Sequence, residues 1–366
     1  MDLKSMKPET RQLESTRPIE AIPMRVHSIL NAVSTVASHD RRQGPYSART
    51  EPAHRRFGFT HTINPYRGCA FACRYCYARY THEWLGLDGD TDFDRRIRLK
   101  QDLARTLERD LLRLKRSKNE RGATVGSIAI GTATDPYQPL ESEVGLTRSC
   151  LEVFAKEEGW SLEITTKSNT IVRDLDLLRL VAEKNELKIH ITVTTLDRGL
   201  ARILEPGAPS PRARIEAIAA LTQAGLTVEP FVSPLIPGVN DSAADLEALF
   251  RELSQVGAGR VVCEAIFLRS PTKEVFIRTL EEQFPDLADS YRRRFDESAF
   301  LSPVEVERLR GRVDRLRRKF GLIGANGSQD PLRNSRPPRR RAPRALPRRT
   351  LPETPAGGPE QLALTF

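Results

Sequence analysis

The stretch Asn64-Pro65-Tyr66-Arg67-Gly68-Cys69-Ala70-Phe71-Ala72-Cys73-Arg74-Tyr75-Cys76-Tyr77 holds three of the chain's five cysteines. It begins at the end of a β-branched run, Thr62 to Tyr66, so the three thiols share one loop after a strand. Cysteines crowded this closely make a poor disulfide framework and read as ligands kept reduced inside a cell. Iron–sulfur clusters are as a rule held by four thiolates, so a loop with three leaves one iron with an open position, and an open metal position implies chemistry. Cys150 and Cys263 fall in a helical and a strand pattern and read as small buried hydrophobes.

Outward from the loop, short β-branched runs alternate with longer amphipathic stretches, the pattern of successive βα units around a parallel sheet. Strands are expected at Thr62 to Tyr66, Ser127 to Ala133, Leu162 to Thr166, Leu187 to Thr195, Leu226 to Val232 and Arg260 to Leu268. Between them, Leu99 to Leu114 sets Leu103, Leu107, Leu111 and Leu114 on one stripe, and Pro211 to Ala224 opens on a proline and stops at Gly225. Asp241 or Ser242 is expected to cap the helix after the fifth strand. The fold class is therefore α/β, a partial (β/α)6 TIM-type barrel, and its sites belong at the C-terminal ends of the strands.

The chain divides in this reading into an N-terminal extension (1–55) with little regular structure, a core barrel (56–270), a helical segment packing on the barrel (271–323) and a tail (324–366). The tail is rich in Pro, Gly and Arg without apolar periodicity and is expected to be disordered. Eight arginines lie between Pro331 and Thr350 with no acid among them, so most of the formal net charge of +10 belongs to the tail rather than to the body. Such a tail suits DNA or RNA phosphates. No stretch approaches the roughly 20 apolar residues that span a bilayer, and the N-terminus lacks the apolar run of a secretory signal. These features place the protein in the cytoplasm, without a membrane partner.

Cys-x3-Cys-x2-Cys with an aromatic residue, Tyr75, just before the last cysteine resembles the signature of the radical S-adenosylmethionine superfamily. From about Thr62 to Val232 the chain is similar to spore photoproduct lyase and its relatives labelled DNA repair photolyases. The motifs, all in the same order, are Gly68-Cys69 with Tyr75-Cys76-Tyr77, Thr134-Asp135, Thr166-Lys167, Glu205-Pro206-Gly207 and Arg214-Ile215-Glu216-Ala217. The resemblance implies a [4Fe-4S] cluster on Cys69, Cys73 and Cys76, with S-adenosylmethionine chelating the fourth iron and being cleaved to a 5′-deoxyadenosyl radical. It implies a reductant such as flavodoxin or ferredoxin as partner. It assigns Lys167 to the cofactor's carboxylate and Thr194 to a hydroxyl that helps hold the cofactor, with Tyr75, Thr134 and Arg214 as further cofactor-binding positions. Asp135 is expected to orient the adenosine or the substrate.

One position departs from the family. The lyase's hydrogen-donating cysteine stands three residues before the Asp of the second-strand motif, and here that residue is Thr132. A hydroxyl does not readily deliver hydrogen to a carbon radical, so Tyr77 or Tyr75 is the replacement to consider, and Tyr77 joins Asp135 as a catalytic candidate. The Glu205-Pro206-Gly207-Ala208-Pro209 run reads as a rigid turn at the rim. The alternative for the cysteine loop is structural zinc completed by His61 or His82. The chain would then be a zinc- or iron–sulfur-containing nucleic-acid-binding module without radical chemistry.

Overall fold

The computed structural model describes residues 18–32, 59–121 and 127–323. The expected disordered tail from Gly324 and the basic approach around Arg41 to Pro45 lie outside the described residues. Eleven strands are formed among those described: β1 (Glu20–Met24), β2 (Leu30–Ala32), β3 (Phe59–Ile63), β4 (Tyr66–Arg67), β5 (Arg96–Lys100), β6 (Ser127–Ile130), β7 (Ser161–Thr166), β8 (Glu186–Ile191), β9 (Thr227–Val228), β10 (Phe231–Leu235) and β11 (Val262–Ala265).

The main sheet runs β2-β3-β6-β7-β8-β9, parallel throughout except for the antiparallel edge strand β2. β10 and β11 form a parallel pair, joined to the end of β8 by a Thr192–Phe231 bridge. The parallel strands thus follow one another in chain order, as a right-handed series of βα units requires. Among the described residues no ladder joins β11 back to β3, so the wall is open on that side.

Helices α1 (Leu103–Arg121), α2 (Leu146–Phe154), α3 (Leu175–Lys184), α4 (Arg198–Leu204), α5 (Pro211–Gln223) and α6 (Ala243–Gln255) cross between the strands. Leu103, Leu107 and Leu111 of α1 are buried, each contributing about 1.5–3 kcal/mol on removal from water. α5 starts at Ser210, whose hydroxyl accepts from the Ala213 amide, and Ser242 caps α6 in the same way through Asp245. Helices α7 (Thr272–Gln283), α8 (Pro285–Arg294) and α9 (Pro303–Phe320) follow, the last opened by a Ser302–Glu305 capping box. None of the helices among the described residues is long and apolar enough to cross a membrane.

Three differences from the sequence reading have physical causes. The first core strand ends at Ile63 rather than Tyr66 because Pro65 cannot donate to a ladder, and the chain resumes only as the two-residue β4. Pro230 divides the fifth strand into β9 and β10 for the same reason. Leu99 and Lys100 belong to strand β5 rather than to the helix expected from Leu99, since β4 and β1 pair with that strand from either side and the helix starts at Leu103.

The fourth difference is in the N-terminal extension, where β1 and β2 replace the expected irregular chain. β1 is an edge strand, which is where its Pro23 can be tolerated, and Glu20 pairs with Arg96 at 3.0 Å. β2 is anchored by the buried Asp110 of α1, whose carboxylate accepts from Ser28 Oγ and the Ile29 amide, both at 2.8 Å, and from the Leu30 amide at 3.3 Å. Replacing Asp110 with Ala leaves these donors without their acceptor. Urea unfolding should show a loss of about 1–3 kcal/mol, with the core barrel's circular dichroism retained.

Candidate active site around the cysteine loop

Gly68 enters the loop at φ +95°, where a side chain would meet the Phe93 carbonyl at 2.8 Å and the His82 ring at 2.9 Å. The loop is then folded on itself. The Ala72 amide donates to the Cys69 carbonyl (3.3 Å), that of Cys76 to Cys73 (3.2 Å) and that of Arg79 to Cys76 (3.4 Å). Ala72 takes a left-handed φ of 53°, an uncommon conformation for a residue with a Cβ. Beneath the loop the fully buried Arg79 donates to the Cys73, Gly89 and Asp90 carbonyls and pairs with Asp94 at 3.0 Å. Thr272 at the start of α7 holds the Cys76 carbonyl at 2.7 Å.

The second half of the site comes from strand ends. Thr134 donates to the Gly68 carbonyl at 2.6 Å, and Gln138 accepts from the Ala70 amide at 3.0 Å, so the β6 loop fastens both sides of Cys69. Asp135 accepts from Thr166 Oγ1 (2.6 Å) and from the amides of Lys167 (2.7 Å) and Tyr137 (2.9 Å). It thereby ties the β6 end to the β7 end. Burial nevertheless holds its carboxyl above the usual range, against those hydrogen bonds.

Glu205, read from sequence as part of a family motif and of a rim turn but not as a site residue, is the centre of the arrangement. Its buried carboxylate accepts from the Tyr75 hydroxyl and from Thr194 Oγ1 at 3.1 Å, and pairs with Arg214 at 2.5 Å. Burial would raise this carboxyl, but Arg214 and Lys167 outweigh it and hold it below the ordinary carboxylate range. Arg214 also donates to the Thr192 and Pro209 carbonyls. The Glu205-Pro206-Gly207 motif marks the position but does not give the acid a role. Its role depends on burial, and on Arg214 being brought back by α5.

The same turn grips the cysteine loop through its backbone. The Gly207 amide donates to the Phe71 carbonyl (3.0 Å), and the Arg74 amide donates to the Leu204 carbonyl (2.8 Å). A Cβ on Gly207 would stand well inside contact distance of the Ala70 carbonyl oxygen.

Lys167 lies at the end of β7 with its ammonium 5.6 Å from the Tyr75 ring centre and has no acidic ion-pair partner among the described residues. Burial works against its charge, but Cys73 and Glu205 outweigh burial and keep it protonated. Burial pushes the thiols of Cys69, Cys73 and Cys76 up, Cys73 to about 12. Tyr77 is 42% exposed and its hydroxyl donates to the Thr132 carbonyl, while Thr132 Oγ1 exchanges hydrogen bonds with the Asn64 amide group.

The loop, Tyr75, Lys167, Thr194 and Arg214 are thus brought to one place around Glu205, and Thr134 and Asp135 brace it from below. Cys150 and Cys263 are buried in α2 and β11. His82 turns Nε2 to the Arg96 carbonyl (3.0 Å) and His61 turns Nδ1 to the Thr60 hydroxyl (2.9 Å). Among the described residues no three His, Cys, Asp or Glu side chains converge on a single-ion site.

The radical SAM superfamily model matches residues 63–253, more than half of the chain. The chain belongs to the radical SAM superfamily. Uncharacterized proteins of Mycobacterium tuberculosis and Mycobacterium bovis are 36% identical to this radical SAM protein over 73% of its length and 76% of theirs. One from Methanocaldococcus jannaschii is 31% identical over 50% of this chain and 63% of its own. Among solved structures, spore photoproduct lyase with a dinucleoside spore photoproduct has the same fold. Its TM-score is 0.50 at 18% identity, over 72% of this chain and 75% of the lyase. The protein is therefore a radical SAM enzyme, and its family implies S-adenosylmethionine and a [4Fe-4S] cluster. The donor set fits that cofactor pair: three thiols on one loop, two buried and Cys76 partly so, beside an ammonium that makes no direct ion pair among the described residues.

Gly207→Ala should push the turn off the cysteine loop. The expected outcome is a several-fold lower iron and sulfide content after anaerobic reconstitution, while the far-ultraviolet circular dichroism stays at the wild-type level.

Proposed function

We propose that this enzyme reductively cleaves S-adenosylmethionine at a [4Fe-4S] cluster held by Cys69, Cys73 and Cys76, and acts on a nucleic-acid lesion or nucleotide in a lyase-like reaction. The observation that carries the reading is that three thiols, with the other two cysteines buried elsewhere, share one loop beside the unpaired Lys167 ammonium. When bound, the cluster supplies the electron that breaks the cofactor's C5′–S bond and so releases the 5′-deoxyadenosyl radical that abstracts hydrogen from the substrate.

The chain's own residues then divide the remaining work. Lys167, whose ammonium lies 5.6 Å from the Tyr75 ring centre, neutralises the carboxylate of the methionine moiety. Thr194 and Tyr75 are held by Glu205 so that their faces line the cofactor, with Arg214 balancing the carboxylate behind them. Thr134 fastens the β6 loop to the Gly68 carbonyl and Asp135 ties it to Thr166, and Asp135 would orient the adenosine or the substrate. Thr132 occupies the position of the lyase's cysteine, and Tyr77, hydrogen-bonded to the Thr132 carbonyl and half exposed, takes the place of hydrogen donor.

A nucleic-acid substrate is supported by the shared fold with the lyase, whose structures hold a dinucleoside photoproduct, and by the arginine-rich stretch at 333–349. The reductant would be an acidic electron carrier of the flavodoxin or ferredoxin kind.

The test is chemical. Protein reconstituted anaerobically with iron and sulfide should contain about four irons per chain and form 5′-deoxyadenosine from S-adenosylmethionine and dithionite, as read by liquid chromatography. Cys73→Ala should abolish both. A colourless protein with one zinc, or an intact cluster that yields no deoxyadenosine, contradicts the proposal.

A further inference from the structure

Two sets of aromatic rings, Trp84 with Tyr80 and Phe300 with Phe267 and Tyr77, lie on either side of Arg269 near the loop's exit. Trp84, 69% exposed, meets Tyr80 edge-on at 4.9 Å between ring centres. Burial raises the pKa of the Tyr80 hydroxyl while Arg269 and Arg67 act against it, so both guanidiniums lie within electrostatic reach of that ring. Arg269 in turn lies over the Phe300 ring at 6.0 Å. Phe300 stacks on Phe267 at 5.7 Å with 24° between planes, and Phe267 meets Tyr77 at 5.5 Å. Tyr77 follows Cys76 directly, so the row ends at the candidate active site.

Three arginines near this row lack an acidic partner among the described residues, while Glu264 lies within electrostatic reach of Tyr77 at its inner end. Arg67 and Arg98 face each other across the β4–β5 ladder. Neither they nor Arg269 has an acidic partner among the described residues, whereas Arg96, two residues before Arg98, pairs with Glu20 and Asp92. Unpaired guanidiniums next to partly exposed rings answer to a chain of negative charges that carries flat faces. Each phosphate neutralises a guanidinium, and each base stacks on a ring whatever its identity. An exposed tryptophan gains most from such a contact, because its large apolar face is otherwise in water.

We infer that the row Trp84, Tyr80, Arg269, Phe300, Phe267 and Tyr77 is a binding track for single-stranded nucleic acid, leading the reacting nucleotide to the open side of the barrel beside Cys76. This rests on the nucleic-acid reading proposed above and adds a surface outside the cofactor site. An acidic electron carrier would also be drawn to the arginines, but it makes no use of a series of ring faces, which is why the track is assigned to bases.

Trp84 and Trp160 are the only tryptophans, and Trp160 is 7% exposed. In full-length reconstituted Trp160→Phe protein, a short oligothymidylate should therefore quench the single remaining fluorophore. Trp84→Ala in the wild-type background should weaken that oligonucleotide roughly 5- to 100-fold, whereas Trp84→Phe should bind within a few-fold of wild type. Arg269→Ala should lower the slope of log affinity against log salt by about one. Iron content and circular dichroism of each variant should match the parent.

Saturable binding without quenching, or equal affinity of Trp84→Ala and wild type, overturns the track and leaves binding to the arginine-rich stretch. Quenching by an acidic flavodoxin but not by the oligonucleotide overturns it in favour of a protein partner. Failure of the radical proposal reads differently: wild-type protein would form no deoxyadenosine while the quench remained.

Discussion

A carboxylate placed in the interior must be neutralised where it stands, because removing it from water costs several kcal/mol. Glu205 is such a group, and the residues that neutralise it come from four parts of the chain: Tyr75 in the cysteine loop, Lys167 at the end of β7, Thr194 after β8 and Arg214 in α5. No one of these segments can move without stranding a buried charge. The site is therefore held by an electrostatic condition that only the assembled barrel meets. The loop that carries the thiols is fastened to it by the backbone contacts of Gly207 and Leu204.

That condition explains how a loop with a left-handed alanine and three closely spaced thiols keeps its shape. The local turns leave the chain's own amide groups satisfied, but they do not by themselves choose this conformation over others. The choice is made by Arg79 from beneath, Thr134 and Gln138 from the β6 side, and the Glu205 turn from the other. Each support reaches a different stretch of the loop, so the thiols are positioned from several directions at once. Lys167 completes the balance, its charge favoured by Cys73 and Glu205 against the burial that opposes it.

The barrel's incompleteness belongs to the same design. β11 has no partner on the β3 side among the described residues, and the aromatic residues around Tyr77 and Phe267 gather near that opening. The chain before the barrel contributes to stability from outside it: β2 extends the sheet at its edge, and β1 extends the small sheet that includes β4, the strand leading into Gly68. Regular structure in a segment of unremarkable composition is thus part of what holds the loop's entrance.

Much of this was legible in the residues. The three-cysteine spacing identified the loop, the βα alternation gave the order of the parallel strands, and the family resemblance pointed to Lys167 and Thr194, which the fold brings near Glu205. Short-range rules suffice there, since hydrophobic periodicity and turn chemistry are written over a few consecutive positions. Glu205, Arg79 and the pairing of β1 and β2 could not be read in the same way. Their partners lie outside the few positions that periodicity and turn rules cover, from six residues away for Arg79 and Cys73 to 130 for Glu205 and Tyr75, and an acidic or basic residue looks alike in sequence whether water or a buried opposite charge awaits it. Only the folded chain decides that, because the energy of a charge depends on what surrounds it, and sequence order does not specify those surroundings.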